Sequence, residues 1–290
     1  DSAVGASVRR VVVGGRRLRL VADVHEDYVA LLRDRPWARG LSGWVARAVA
    51  RAGEVLAGCA DLTVVADSHL APKATRRLVV RNLADPSMLP SAAGPDQSAG
   101  LSGPGAEPRP RALYVGDLRA SRGLFAMLDA AVAAPNWSFD LVGPVSASDQ
   151  ARLDDRLSAD RALAARVQFP GRLAPARAWN RATGAWAGLA LLENTAAFRD
   201  SMPSKIREYL ACGLPVLTTP LPRPAALIRQ TGAGAIVTSP AEAAAVLENW
   251  FRDRFAYAAV QAAALAAAAD IRSDCGDMDV FAARLKRLAR

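Results

Sequence analysis

Asp200, Lys205 and Glu208 fall in one short segment of the chain, Asp200 to Pro220, DSMPSKIREYLACGLPVLTTP. Two acids and an amine at this spacing suit a ligand that carries both hydroxyls and phosphate. Carboxylates accept hydrogen bonds from sugar hydroxyls, whereas a lysine and the amides of a helix N-terminus attract phosphate. The segment reads as a helix with all three side chains near its start. It ends at Gly213, where a left-handed residue costs little, and a buried strand from Leu214 to Thr218 follows. On residue types alone, a solvated Lys205–Glu208 pair at i, i+3 on a capped surface helix fits as well.

Four further groups sit just past expected strands, where parallel sheets collect ligand-binding groups. YVGDLRASRGL, Tyr114 to Leu124, is a strand, a loop and a helix start, and Arg122 there could clamp a diphosphate with its guanidinium. An ordinary surface arginine fits the same motif. VADVHEDY sets His25, Glu26 and Asp27 beyond a strand; the two acids either bind ligand hydroxyls or cap the next helix. GRL, Gly171 to Leu173, follows a third strand, and Glu193 and Asn194 close a fourth. His69, in DSHLAP, reads as a turn residue, and Trp37, Trp44, Trp179, Trp186 and Trp250 as core or rim packing.

The elements that must position these groups form two series. Strands are expected over 17–23, 62–66 and 77–81, with a long helix over 40–59 between the first two. Such a β-α-β order demands a parallel sheet with right-handed crossovers. Residues 91–110, SAAGPDQSAGLSGPGAEPRP, contain almost no large apolar side chain and read as a flexible linker. A second series follows, with strands over 112–115, 139–142, 167–169, 188–192, 215–218 and 235–237. The expected division is a partial N-terminal Rossmann-like domain over 1–90, the linker, a C-terminal Rossmann-like domain over 111–270, and a C-terminal helix over 271–290.

Composition sets the limits. At 290 residues, 51% hydrophobic and 22% charged, the chain has material for two ordinary cores. The net charge is +9, and Lys73, Lys205 and Lys286 are the only lysines. The arginines are spread without a basic block, which argues against nucleic acid. Cys59, Cys212 and Cys275 are isolated, odd in number and without metal-ligand spacing, as expected in a reducing, cytoplasmic setting. No apolar run reaches the roughly 18 residues of a membrane span, so membrane contact is expected to be peripheral at most.

The pattern S-x-P-x-K-x-x-E-Y-L-A-x-G-x-P-V, Ser201 to Val216, resembles the donor-site signature of GT-B fold, family-4 type glycosyltransferases, as does DVHEDY, Asp23 to Tyr28. The family's usual Glu, seven residues, Glu appears here as Asp200 and Glu208. The resemblance implies an α/β fold of two Rossmann-like domains facing a cleft. It implies metal-independent transfer, with retention, of a sugar from a nucleotide diphosphate sugar to an acceptor hydroxyl. Glu208 would hold the ribose, and Arg122, Gly123 and Lys205 the diphosphate. His25 and Asp200 would serve the donor sugar as catalytic residues, Arg172 and Leu173 would neighbour the base, and Glu26 and Asp27 would lie on the acceptor side. Asp117 stands where the family often has a first basic residue, leaving Arg119 as its substitute. The acceptor is open: a sugar, a lipid-linked glycan or a small metabolite. The family's opening strand and Gly-rich loop have no counterpart, since Gly14-Gly15 precedes a strand, so the first domain is expected to be incomplete. That gap, with Asp117 and Asp200, leaves a catalytically impaired donor-binding or scaffold subunit as the alternative.

Overall fold

A computed structural model describes residues 12–13, 16–17, 19–33, 35, 37–81, 85–92, 109–274 and 276–289. Gly14-Gly15, Cys275 and the linker residues 93–108 lie outside the described residues. Two compact units emerge: Asp1–Asn82 with Thr195–Ser201 and Cys275–Arg290, and Leu83–Asn194 with Met202–Asp274.

In the first unit, β1 (Val12–Val13) and β2 (Arg16–Arg17) form a small antiparallel pair. Then come β3 (Val21–Val24), α1 (Tyr28–Arg33), α2 (Gly40–Gly58), β4 (Leu62–Val65) and β5 (Arg77–Val79). The strand expected from Arg17 therefore begins only at Val21. Arg17 pairs back onto Val12, and the Leu20 amide bonds the Asp61 carboxylate at 3.0 Å. β3, β4 and β5 pair in that order, all parallel. All four β4 residues are buried, as expected of a central parallel strand, while β3 alternates between exposed and half-buried at the edge.

The second unit carries one six-stranded parallel sheet. Its elements are β6 (Arg111–Val115), α3 (Leu124–Ala133), β7 (Ser138–Val142), α4 (Ala147–Ala159), α5 (Arg161–Ala164), β8 (Val167–Gln168), α6 (Pro175–Trp179), β9 (Ala187–Ala190), α7 (Ser204–Ala211), β10 (Val216–Thr218), α8 (Pro222–Thr231), β11 (Gly234–Ile236), α9 (Pro240–Arg252) and α10 (Arg254–Ser273). The strand order is β11-β10-β9-β6-β7-β8. The sheet grows from β6 to one edge, then returns to β6 and grows to the other, the Rossmann arrangement. Its topological switch point lies between β6 and β9, where such sheets bind ligands. Trp137, Tyr114, Phe139, Leu113 and Leu141 are fully buried within it. After α10, α11 (Gly276–Leu288) returns to the first unit, where the Asp277 carboxylate accepts from the Arg81 guanidinium at 2.6 Å.

Candidate donor-binding site

The C-terminal ends of β6 and β9 are bound together by tyrosine and glycine. The Tyr209 hydroxyl, on α7, accepts from the Val115 amide at 3.0 Å and donates to the Leu189 carbonyl at 3.3 Å, joining the two switch-point strands. α7 can lie this close because β9 carries Gly188, whose Cβ would meet the Tyr209 ring at 2.3 Å. The loop after β6 closes onto the loop after β9 at Gly123. This residue has φ of +86°, and a Cβ there would stand 2.1 Å from the Leu191 carbonyl oxygen. A side chain is thus excluded twice, by backbone conformation and by space. The Glu193 amide donates to the Ser121 carbonyl at 3.0 Å beside it.

Lys205 projects into this rim. Ser204 is the first residue of α7, preceded by Pro203 in extended geometry and with no side-chain cap, so helix amides are available there. Met202, the residue before a proline, disfavours helix, so α7 does not run back toward Asp200. Asp200 is corrected accordingly: it lies outside the helix, exposed, in the Thr195–Ser201 stretch that groups with the first unit. The surface reading of Lys205 fails as well. Lys205 is 7% exposed, its Nζ stands 3.7 Å from the centroid of the Tyr114 ring, and it has no hydrogen-bond partner. Burial, followed by repulsion from Arg122, pushes its pKa well below the ordinary lysine range, against the attraction of Glu208 and Asp117.

Its neighbours complete the rim. Glu208 is half-buried, 3.4 Å from the Ser204 hydroxyl, and burial raises its carboxyl above the usual range, against the pull of Lys205. Tyr114 donates to the Asp117 carbonyl at 2.8 Å, and burial pushes its phenol up to about 12. Arg122 is half-buried, close enough to stabilise the Tyr114 phenolate and oppose the Lys205 charge. Asp117 is paired with Arg119 at 3.1 Å. Lys205, Glu208, Arg122 and Gly123 are thus gathered at one place in the second unit. Arg172 is exposed and Leu173 half-buried after the edge strand β8 in the same unit.

The remaining candidates belong to the first unit. His25 is exposed, its Nε2 2.8 Å from the Asp23 carboxylate. Of the two readings of Asp27, the structure shows the capping one: its carboxylate accepts the Ala30 amide at 2.8 Å. Glu26 and Asp27 also border a groove of about 750 Å³ that Val21, Val49, Val29 and Leu70 help to line. His69 is a turn residue, 3.4 Å from Asp67. Trp179, Trp186 and Trp250 are buried, whereas Trp37 and Trp44 are exposed. Sequence reasoning passed over Tyr114, Tyr209, Gly188 and Asp23. The Tyr directly after Glu208 was a usable signal, since a bulky polar-tipped residue on the inner face of an amphipathic helix seeks a buried partner. Among the described residues no group of three or more His, Cys, Asp or Glu could hold a metal ion, and no helix is long and apolar enough to cross a membrane.

Residues 109–253 match the family model described as glycosyl transferases group 1. A comparison with curated proteins gives no match. Among solved structures the chain is similar to Anabaena HepE in complex with UDP and glucose, at 17% identity over 92% of this chain and 71% of that one, with a TM-score of 0.65. Sucrose-phosphate synthase from Thermosynechococcus elongatus is similar at 17% identity over 95% and 68%, TM-score 0.68. WaaG, a glycosyltransferase involved in lipopolysaccharide biosynthesis, is similar at 16% identity over 86% and 73%, TM-score 0.59. With half its length matched by the family model and its fold that of GT-B enzymes, this chain belongs to the glycosyl transferases group 1 family and is a glycosyltransferase.

Proposed function

We propose that the chain transfers a sugar, with retention and without a metal ion, from a nucleotide diphosphate sugar to an acceptor hydroxyl. The observation that carries this reading is the buried Lys205, an amine with no hydrogen-bond partner at the switch point, beside Arg122 and the uncapped start of α7. These groups suit a diphosphate and would stabilise it as it leaves, the role a divalent cation fills elsewhere. Gly123 lets the loop backbone approach the phosphates, and Glu208 accepts hydrogen bonds from the ribose. Arg172 and Leu173 lie on the base side. HepE, similar in fold, is described with UDP and glucose and favours a uridine donor as the first to test.

His25 and Asp200 act on the donor sugar in this reading. The Asp23 carboxylate at 2.8 Å from His25 fixes the imidazole's orientation, leaving its other nitrogen to donate to a sugar oxygen in the transition state. Glu26 serves the acceptor, with Asp27 holding α1 in place. Calorimetric titration with UDP, GDP and ADP in the presence of a chelator tests the site. Micromolar binding of one nucleotide, reduced at least tenfold by Glu208→Ala, is expected. No binding by any of the three would overturn the donor-site reading. Binding without transfer or donor hydrolysis would instead match the impaired, scaffold-type alternative.

A further inference from the structure

Lys205 presents a problem of charge balance that the donor-site reading leaves open. An ammonium has three donors, and burying them unmatched is costly. Here Nζ is buried without an acceptor, against the face of Tyr114, and a Cβ at Gly116 would stand only 2.9 Å from it. The charged groups facing it come from three places. Arg122, from the turn before α3, repels it; Asp117, from the loop after β6, and Glu208, one turn along α7, attract it. Neither acid is a full counter-charge. Asp117 is already engaged with Arg119 at 3.1 Å, and Glu208 is itself raised by burial. Tyr114 and Tyr209 lie beneath as neutral phenols, both held above the ordinary tyrosine range by burial.

We propose that Lys205 is a neutral amine in the empty site and takes up a proton from solvent when a nucleoside diphosphate enters, so that donor binding and protonation of this side chain are coupled. The inference rests on the donor-site reading above. The ligand's phosphate charge supplies the counter-ion that the protein lacks, and the amine becomes an ammonium as that charge arrives. When the diphosphate departs, the proton returns to solvent and no lone charge is left buried. The protein thereby keeps a strong anion ligand without carrying a permanent unpaired cation through its folded, empty state. Arginine could not do this, since its guanidinium does not deprotonate in proteins.

Titration calorimetry with UDP, or with GDP or ADP if one of these is the nucleotide bound, tests the coupling in buffers of low and high ionisation enthalpy. Near pH 8 the terminal phosphate, with a pKa of about 6, is already fully ionised. Wild type should take up about one proton per nucleotide, and Lys205→Arg, permanently charged, none. As an independent readout that needs no variant, the wild-type Kd should weaken by up to about tenfold per unit as pH rises through the range between the empty-site and the bound-site pKa. Binding with no proton uptake and a Kd flat from about pH 7 to 9 would show that Lys205 stays charged when empty. The inference would then fall while the donor site stands. No binding of any nucleotide would overturn both.

Discussion

Replacing Lys205 with methionine separates what this residue costs the fold from what it does for the site. Methionine fills nearly the same volume and has no charge to desolvate. Because burial depresses the Lys205 pKa well below 10.5, folding near pH 7.5 either strips a proton from the side chain or buries it charged. Stripping it costs about 1.4 kcal/mol per pH unit below the unfolded value, so about 4 kcal/mol over the three units to pH 7.5. Burying it charged happens only where that is cheaper, so about 4 kcal/mol is the ceiling of the penalty. Lys205→Met is therefore expected to stabilise the empty protein by up to about 4 kcal/mol, a melting rise of several degrees at about 2–4 °C per kcal/mol. The sign with pH follows from the depressed folded pKa. The penalty is full below that pKa, shrinks as pH rises from there toward 10.5, and is gone above it, so the advantage of the variant narrows with rising pH. Thermal unfolding followed by circular dichroism, with and without UDP, reads both effects. A variant that melts at or below wild type without nucleotide would refute the charge-balance argument, as would one that binds UDP as tightly as wild type.

Gly188→Ala should be among the most damaging single changes in the second unit, because the new methyl would lie 2.3 Å from the buried Tyr209 ring. A loss of about 1–3 kcal/mol from overpacking, with weaker UDP binding as the Tyr209 link between β6 and β9 loosens, is expected in denaturant melts and titrations. Asp140, on β7, has 1% side-chain exposure, its Oδ2 3.1 Å from Arg111 and 2.7 Å from Arg181. Asp140→Ala leaves Arg111 buried without its counter-charge and should cost about 3–5 kcal/mol without altering nucleotide specificity. His25→Ala should lower kcat with little change in UDP affinity; equal losses in both would place His25 in donor binding instead.

Much of the architecture was legible because it rests on local patterns. Short apolar runs between helical segments announced every strand of the six-stranded sheet, although the boundaries moved by a residue or two. Gly213, at φ of +74°, ends α7 as a left-handed residue should. Where the reading failed, a longer-range pairing competed: the Arg17 run was split because Arg17 found a partner in Val12. Asp200 was placed on the helix because its spacing to Glu208 was followed ahead of Pro203, the local signal that limits where that helix begins.

The amino-acid sequence by itself determined the two parallel series, the Ser201–Val216 pattern and, through that pattern, the family. All of these depend on residues close together in the chain. Only the tertiary structure decided that β6 and β9, far apart in sequence, lie side by side to make the switch point, and that Gly123 seals against Leu191 there. It alone turned Lys205 from one half of a surface pair into a buried amine over Tyr114. Burial and electrostatic surroundings are set by whatever distant segments pack against a side chain, and no periodicity or spacing along a single segment encodes them.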